Sequence, residues 1–190
     1  FSDVNQSTVT QRDIDIDALC IATDPQGDLW IGGRGGLRHL TTAASERLDL
    51  AEDLVVTAIL PVVEGLYLGL RTATRDHIQF AFHDGKNLQI IWEKRSDEVS
   101  SLPPILRIIR TRDQDLFFVC HFSHQAGSMH IWSEVDRFLA RWNPASGLTW
   151  YSSKDGLPHD RVYDLLADRS GVLWVATWGG IGRYDGTRFE

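Results

Sequence analysis

A repeated segment restricts the fold of this sequence more than any other feature. The segment from Ala18 to Leu40 aligns without a gap on the segment from Val162 to Tyr184. Internal repeats of this length indicate an architecture built from repeated supersecondary units. The matched pairs are Asp24 with Asp168, Gly27 with Gly171, Leu29 with Leu173, Trp30 with Trp174, Gly35 with Gly179 and Gly36 with Gly180.

Two weaker copies lie between the strong ones, at Val56–Leu70 and Ile105–Cys120. The spacings between the leucines that precede the aromatic position are 37, 50 and 57 residues, and a count from the last leucine through the C-terminus and on from Phe1 gives 46. Propeller blades repeat every ~40–45 residues, so the ends of the chain are in phase for ring closure. The marker leucines are Leu29, Leu66, Leu116 and Leu173.

Each strong copy has the pattern of short antiparallel strands. Leu19 and Ile21, like Leu29 and Ile31, alternate with other residues at the period of a β-strand. The Asp-x-x-Gly between these runs is typical of a turn, and its glycine is expected at positive φ. A Gly-Gly pair then precedes a third strand, and an apolar, aromatic fourth strand follows. The glycines expected at positive φ are Gly27 and Gly171.

The fold class predicted from this pattern is all-β. We expect a single β-propeller domain of about four blades, each a four-stranded antiparallel sheet. The predicted blades are 17–54, 55–103, 104–160, and 161–190 together with 1–16. Sequence alone leaves three assemblies open: a closed four-bladed ring, two chains joined in an eight-bladed ring, and a part of a longer array.

Charge and hydropathy argue against two classes of partner. The net charge of −7 disfavours nucleic acid, because binding to phosphates needs clustered Lys and Arg. The longest apolar stretch, Val55–Leu70, contains Pro61 and Glu64 and is shorter than the ~20 residues that span a bilayer. We therefore expect no membrane segment, and the first residues lack the pattern of a signal peptide.

The segment Tyr151–Glu190 resembles the two-component regulator propeller repeat. It has an aromatic strand, a Gly-Leu-Pro turn at 156–158, the Asp-x-x-Gly turn, a Leu-Trp strand and a final Gly-x-x-x-Tyr-Asp strand. The first copy matches from Ala18 to Leu37, and in the two middle copies Tyr67 and Phe117 replace the tryptophan. The streptogramin-lyase-like propellers are similar too, but they normally lack the Gly-Leu-Pro element.

The resemblance implies a sensory and non-catalytic module that is periplasmic or otherwise extracytoplasmic, and a cytoplasmic location stays open as the alternative. Such a module would pass ligand binding to an output kinase or regulator domain in its parent protein. Two alternatives remain open: a lyase-like propeller enzyme, with histidines and acids facing the channel, and a structural propeller that binds proteins. No cofactor is implied.

Most of the conspicuous residues have a structural interpretation. Trp30 and Trp174 recur at one repeat position and are expected to pack between sheets, whereas Asp24 and Asp168 are expected to accept backbone hydrogen bonds in turns. Gly32–Gly36 precedes a strand, so it is interpreted as a turn and not as a phosphate loop. We expect no catalytic residues and no metal site. Cys20 and Cys120 are expected to be small buried hydrophobic residues. The histidines are only weak candidates for a metal site, because they lack the spacing of a zinc-binding set. They are His121, His124 and His130.

The turns between second and third strands form the predicted ligand-binding end of the propeller. Arginines in two of these turns favour an anionic or hydroxyl-rich ligand, such as a carbohydrate, on which an aromatic ring could stack. Solvated loop tips are the alternative interpretation. An insertion at 121–136 lengthens the third repeat and is predicted to be a lid or a contact surface. The candidate binding residues are Arg34, Arg71, Arg75, His121, His124 and Trp178.

Overall fold

The computed structural model describes residues 15–95, 102–120 and 139–190, and they form four antiparallel β-sheets. Sheet 1 contains β1 (Asp17–Thr23), β2 (Leu29–Arg34), β3 (Gly36–Leu40) and β4 (Ser45–Leu48). Sheet 2 contains β5 (Leu54–Val62), β6 (Gly65–Thr72), β7 (His77–His83) and β8 (Leu88–Arg95). Sheet 3 contains β9 (Ile105–Arg110), β10 (Leu116–Cys120), β11 (Leu139–Asn143) and β12 (Gly147–Tyr151). Sheet 4 contains β13 (Val162–Ala167), β14 (Leu173–Thr177) and β15 (Gly180–Tyr184).

Every sheet is a meander in which each strand pairs with the next one along the chain. The register of each sheet has one irregularity between its first two strands, near the end of the second strand. The prediction of an all-β propeller with four-stranded antiparallel blades is therefore confirmed. A single turn of 3₁₀ helix, Ser153–Asp155, leads into sheet 4. Among the described residues no helix is long and apolar enough to cross a bilayer.

The sheets pack face to face in chain order, and a separate apolar core fills each boundary. β5 contacts β1, β2 and β3, β9 contacts β5, β6 and β7, and β13 contacts β9 and β10. Leu37, Leu68 and Leu70 belong to the core between sheets 1 and 2. Phe80 and Phe118 belong to the core between sheets 2 and 3, while a third core around Leu165 and Val175 joins sheets 3 and 4.

Sheet 4 has three strands within the described residues. A bridge between Tyr184 and Phe189 begins a pairing on the outer edge of β15. The predicted fourth blade also included residues 1–16, of which 1–14 lie outside the described part of the chain. The blade boundaries given above therefore stay predictions.

The repeated aspartate closes the turn between the first two strands, as predicted. Asp24 Oδ1 accepts the N–H groups of Gln26 and Asp28 at 3.0 and 2.9 Å, and its Oδ2 accepts Trp30 Nε1 at 3.2 Å. Asp168 repeats this pattern in sheet 4 and accepts the indole of Trp174 at 2.8 Å. Positive φ is confirmed for the turn glycines, Gly27 at 91° and Gly171 at 85°.

The two tryptophans differ in their packing. Trp30 packs against the core between sheets 1 and 2 and stacks on His39 with 4.1 Å between ring centroids. Trp174 lies on the face of sheet 4 that points away from sheet 3, and it is 37% exposed. The expectation that both pack between sheets therefore holds for Trp30 and is wrong for Trp174 in the single chain.

Cys120 and the glycine-rich segment follow their predicted roles, whereas Cys20 is less buried than predicted. Cys120 is buried and Cys20 is half-buried, and both are free thiols. Residues 32–36 form the end of β2, a tight turn and the start of β3. No helix follows this segment, so it has none of the backbone geometry of a phosphate loop.

Candidate functional site

Three of the predicted binding residues occupy one repeat position at the same end of the sheets. Each follows its marker leucine by five residues, at the end of the second strand of its sheet or just after it. The turns to the third strands begin there, so these residues lie at the same end of sheets 1, 2 and 4. They are Arg34, Arg71 and Trp178. His121 has the same spacing from Leu116 but lies outside the described residues.

Arg71 is the buried member of this set. Side chains alternate between the two faces of a strand, so Arg71 shares a face of β6 with Gly69. A Cβ on Gly69 would lie 2.8 Å from Ile105 Cβ, which shows that this face points at sheet 3. The Arg71 side chain thus enters the boundary between sheets 2 and 3, and the residue is only 8% exposed.

The charges that act on Arg71 are positive. Burial lowers the pKa of the Arg71 guanidinium, and the nearby Arg75 and Arg34 lower it further. An arginine stays protonated despite such shifts, so the site keeps its positive charge. Arg71 has no ion pair and no side-chain hydrogen bond with any residue in the described ranges. Such a buried cation is costly unless an anion is bound beside it.

The acidic residues near the other two arginines do not pair with Arg71. Asp17 Oδ2 lies 3.8 Å from Arg34 Nε, and both side chains are exposed. Asp76 accepts the hydroxyl groups of Thr72 and Thr74, both at 2.6 Å, and these bonds lower the pKa of its carboxyl group. We call Arg34, Arg71 and Arg75 the arginine cluster.

The backbone around Arg75 holds this end of sheet 2 against the start of sheet 3. Arg75 has a left-handed φ of 66°, and its N–H donates to Thr72 O at 3.1 Å. Its carbonyl oxygen accepts the N–H of the buried Leu102 at 2.9 Å. The turn that carries Arg75 is therefore fixed to the segment that leads into β9.

Trp178 belongs to a different patch, on sheet 4. Its ring is exposed and lies 5.6 Å from the guanidinium carbon of Arg161 and 6.5 Å from the ring of Tyr163. The backbone N–H of Trp178 also donates to the backbone carbonyl oxygen of Arg161 at 3.0 Å. Sequence reasoning missed Arg161 and Tyr163, although they lie three and five residues after the Gly-Leu-Pro element that predicted a turn.

The two strong copies of the repeat match a known family of repeats. The model of the two component regulator propeller family matches residues 14–35 and 156–179, which include the strong copies of the Asp-x-x-Gly turn and the Leu-Trp strand. These two segments are similar to two component regulator propeller repeats. No curated protein matches the chain.

Solved structures similar to this chain are β-propellers. The extracellular domains of a putative one component system and a putative hybrid two component system, both from B. thetaiotaomicron, match at TM-scores of 0.57 and 0.59 with 15% and 18% identity. The alignments cover 92% of this chain but 21% and 22% of those domains. Virginiamycin B lyase from Staphylococcus aureus matches at a TM-score of 0.58 with 18% identity, over 95% of this chain and 57% of the lyase. The chain thus shares its fold with much longer proteins and spans about a fifth of the two extracellular domains.

The predicted binding elements of the third repeat fall outside the described residues. They comprise His121, His124, His130 and the insertion 121–136. Their roles as a binding surface or lid stay predictions, as does the histidine cluster of the lyase-like alternative.

Metal-ligating side chains approach one another in the turn of the first regulator propeller repeat. Ligand atoms of Asp24, Asp28 and His39 lie within 4.8 Å of one another. The Asp24 carboxylate already accepts bonds from two backbone N–H groups and an indole, and His39 Nε2 lies 3.2 Å from its Oδ2. We therefore interpret this group as the closure of the turn.

A cleft of about 250 Å³ lies between sheets 1 and 2, at the end of their strands that carries the turns between first and second strands. The turns that carry Asp24, Glu64 and Asp84 surround it, and Trp30 and Leu66 contribute apolar walls. It lies at the opposite end of the second strands from the arginine cluster. The two ends of the sheets therefore differ in charge.

Proposed function

We propose that this chain is a sensory, ligand-binding module of a two-component-type signalling protein. It binds a small anionic ligand at the arginine cluster and acts outside the cytoplasm. The burial of Arg71 without an anionic partner among the described residues is the observation that carries the binding proposal. The repeat family and the fold that the chain shares with extracellular sensor domains support the sensory role.

The chemistry of the cluster favours a carboxylate or a phosphate. A planar guanidinium presents paired donors that match two oxygens of such a group, and charge-assisted hydrogen bonds are the stronger kind. Arg71 would make the buried contact, while the exposed Arg34 and Arg75 would attract the ligand and complete its coordination. A bound anion would also remove the mutual repulsion of the three cations.

A ligand with a sugar ring would explain the second patch as well. Trp178 presents an exposed ring beside Arg161, at the repeat position that arginine occupies in sheets 1 and 2. Aromatic rings stack on the apolar faces of sugars, and an acidic sugar would combine both kinds of contact. We therefore expect acidic sugars to bind more tightly than neutral sugars of the same size.

The proposed role is non-catalytic. The repeated carboxylates of Asp24 and Asp168 accept hydrogen bonds that close their own turns, which accounts for them without a reaction. In the parent protein, ligand binding would be passed to an output kinase or regulator domain.

The proposal is tested by titrating the protein with galacturonate, galactose, citrate and inorganic phosphate, with binding measured by calorimetry and thermal shift. We expect binding of at least one anion and none of galactose. Arg71→Gln should weaken that binding roughly 10- to 100-fold, because a hydrogen bond to a charged group contributes ~1.5–3 kcal/mol. Arg47→Gln is the matched control, because Arg47 pairs with Asp49 at 3.3 Å on the outer strand of sheet 1.

The stability of the unliganded Arg71→Gln variant separates binding from folding. Because Arg71 is buried beside other cations, its replacement by a neutral side chain should leave the melting temperature unchanged or raise it. A variant that loses stability but binds the anions as well as wild type would contradict the proposal. So would equal binding of galacturonate and galactose.

A further inference from the structure

The cleft between sheets 1 and 2 is acidic. Among the described residues its wall includes Asp24, Glu64 and Asp84 but no lysine or arginine. Hydrogen bonds from the backbone N–H groups of Asn87 and Lys86 lower the pKa of Asp84 to about 2, so this carboxyl group is ionised at neutral pH. The cleft, which we call the acidic cleft, therefore has a charge that attracts cations.

His83 places a hydrogen-bond donor in the acidic cleft. It pairs with Leu66 across sheet 2, and Leu66 belongs to the core between sheets 1 and 2, so the His83 side chain faces sheet 1. The residue is 4% exposed, and its Nδ1 accepts the backbone N–H of Gly85 at 2.9 Å. Burial lowers the pKa of His83, against the opposing effect of the Asp84 carboxylate. The imidazole is therefore neutral at pH 7, and its proton lies on Nε2.

The Nε2–H group of His83 has no hydrogen-bond partner among the described residues. In the same part of the chain, the fully enclosed polar side-chain atoms without a partner are Gln79 Oε1 and Arg141 Nε. His83 Nε2 is not one of them, so it keeps access to the cleft that His83 lines. A buried donor without a partner costs free energy, and an oxygen atom of a bound ligand would remove this cost.

The wall of the acidic cleft suits an organic cation better than a metal ion. Its three carboxylates do not converge on one point, since the described side chains whose ligand atoms do converge are Asp24, Asp28 and His39. A protonated Nε2 of His83 offers no lone pair to a metal. Apolar side chains form much of the wall, and they fit the hydrocarbon part of a ligand better than the water shell of an ion. They include Trp30, Leu48, Pro61 and Leu66.

We infer that the acidic cleft binds a small organic amine, whose ammonium group lies near Glu64 and Asp84 and whose oxygen acceptor lies on His83 Nε2. The cleft volume of about 250 Å³ is below the ~300–1,000 Å³ of clefts that hold drug-sized ligands, so the amine is smaller than those. This second site lies at the opposite end of the sheets from the arginine cluster and takes a ligand of opposite charge. The inference therefore does not depend on the proposed anion site.

Three phenyl compounds of similar size test the inference. Tyramine has an ammonium group and a hydroxyl oxygen, phenethylamine has the ammonium group alone, and para-ethylphenol has the hydroxyl alone. In calorimetry and saturation-transfer NMR with the whole chain, tyramine should bind more tightly than phenethylamine, and para-ethylphenol should not bind. Equal binding of tyramine and para-ethylphenol would overturn the inference. So would the failure of both amines to bind, or the displacement of tyramine by Ca²⁺.

Glu64→Gln and Glu52→Gln make the same change of charge at opposite ends of sheet 2. Glu64 lies in the turn at the acidic cleft, with its Oε2 3.9 Å from Arg110 Nη1, whereas Glu52 precedes β5 at the other end. Glu64→Gln should weaken the binding of both amines roughly 2- to 5-fold, because exposed ion pairs contribute little free energy. Glu52→Gln and Arg71→Gln should leave it unchanged. Equal effects of the two glutamate variants, or loss of amine binding in Arg71→Gln, would contradict the assignment to the cleft.

His83→Asn separates the hydrogen bond from the charge. An asparagine oxygen can replace Nδ1 as the acceptor of the Gly85 N–H, but the donor at Nε2 is lost. The variant should weaken the binding of tyramine roughly 10-fold and change that of phenethylamine little, because only tyramine has an oxygen for this donor. The two amines are compared on one protein, so a change in its stability does not affect their ratio. An unchanged ratio of the two affinities would overturn the role of His83.

Discussion

The outer sheets and the middle sheets of this arc use the same repeat in different ways. Sheets 1 and 4 keep the aspartate, glycine and tryptophan of the motif, and in both the aspartate closes the first turn. Sheets 2 and 3 have lost most of the motif, yet the most extensive aromatic core of the described chain lies between them. The motif therefore specifies a turn within one sheet, and packing between sheets depends on other residues.

The middle sheets show two ways to replace that turn. In sheet 2 the strands β5 and β6 are joined by Val63 and Glu64 alone. In sheet 3 Thr111 takes the place of the aspartate, and Gln114 takes the left-handed position of the turn glycine with φ of 67°. The hydrogen bonds of the backbone remain, although the residues that identify the turn in the sequence do not.

Removal of a large side chain should separate the two regions most clearly. Phe118 is fully buried and packs on Phe80, Trp92 and Trp150 with ring centroids 4.7–6.0 Å apart. Phe118→Ala should lower the free energy of unfolding by ~3–5 kcal/mol. Trp174→Ala removes a larger but partly exposed ring and should cost much less. Urea denaturation measures both, and similar losses would contradict the contrast between middle and outer sheets.

The sequence predicts the part of the fold that lies within each outer sheet. The Asp-x-x-Gly turn and the positive φ of Gly27 and Gly171 follow from residues four or fewer positions apart, so local chemistry determines them. The exposure of Trp174 depends on whether another sheet covers sheet 4, which no local pattern records. The candidate ligand site shows the same dependence on packing. The repeat predicts the position of Arg71 in its sheet, but the burial of Arg71 depends on contact with sheet 3.

The turn glycines of the outer sheets should differ in their tolerance of a methyl group. Gly27 and Gly171 both have positive φ, so alanine at either costs ~1–2 kcal/mol. A Cβ on Gly27 has open space, whereas a Cβ on Gly171 would lie 2.4 Å from Arg112 Cβ in the turn of sheet 3. Gly171→Ala should therefore lower the melting temperature more than Gly27→Ala. Equal losses would mean that the turns of sheets 3 and 4 do not touch.

The turn aspartate of sheet 4 should make stability depend on acid pH. Hydrogen bonds from the Ser170 hydroxyl and the Trp174 indole lower the pKa of Asp168 to about 2, from an ordinary value of 3.8. Because the pKa of Asp168 is lower in the folded than in the unfolded protein, its ionised carboxylate stabilises the fold. This stabilisation is complete above about pH 4 and is lost as pH falls toward 2. Asp168→Asn should therefore melt below wild type at neutral pH, and the difference should shrink over that range.

The equivalent residue of sheet 3 provides the control for this pH dependence. Thr111 holds its turn through a hydroxyl that donates to Asp115 O at 3.3 Å, and it carries no charge. The difference in melting temperature between Thr111→Ala and wild type should be the same at pH 6 and at pH 3. A constant difference for Asp168→Asn as well would show that the carboxylate does not act through its charge.

Restoring the glycine of the motif to sheet 3 should stabilise the protein. Gln114 adopts a left-handed conformation that glycine adopts without a steric penalty. Gln114→Gly should raise the free energy of unfolding by up to ~1 kcal/mol, with part of the gain lost to the greater freedom of glycine in the unfolded chain. Gln26→Gly in the turn of sheet 1 is the matched control and should not stabilise. A lower stability for Gln114→Gly would show that its side chain holds the turn.

The two cysteines should report the opening of an outer and a middle sheet separately. Burial raises the pKa of both thiols to about 12, so alkylation at pH 8 should be slow while the protein is folded. Cys20 is half-buried on β1 against sheet 2, whereas Cys120 is buried between sheets 2 and 3.

Iodoacetamide should therefore label Cys20 before Cys120, as followed by peptide mass spectrometry. The rate of Cys20 labelling should depend only weakly on urea concentration, because separation of sheet 1 exposes less surface than complete unfolding. The Cys120 rate should follow global unfolding. Labelling of both thiols at one rate at every urea concentration would show that the arc opens only as a unit, so that outer and middle sheets do not differ in stability.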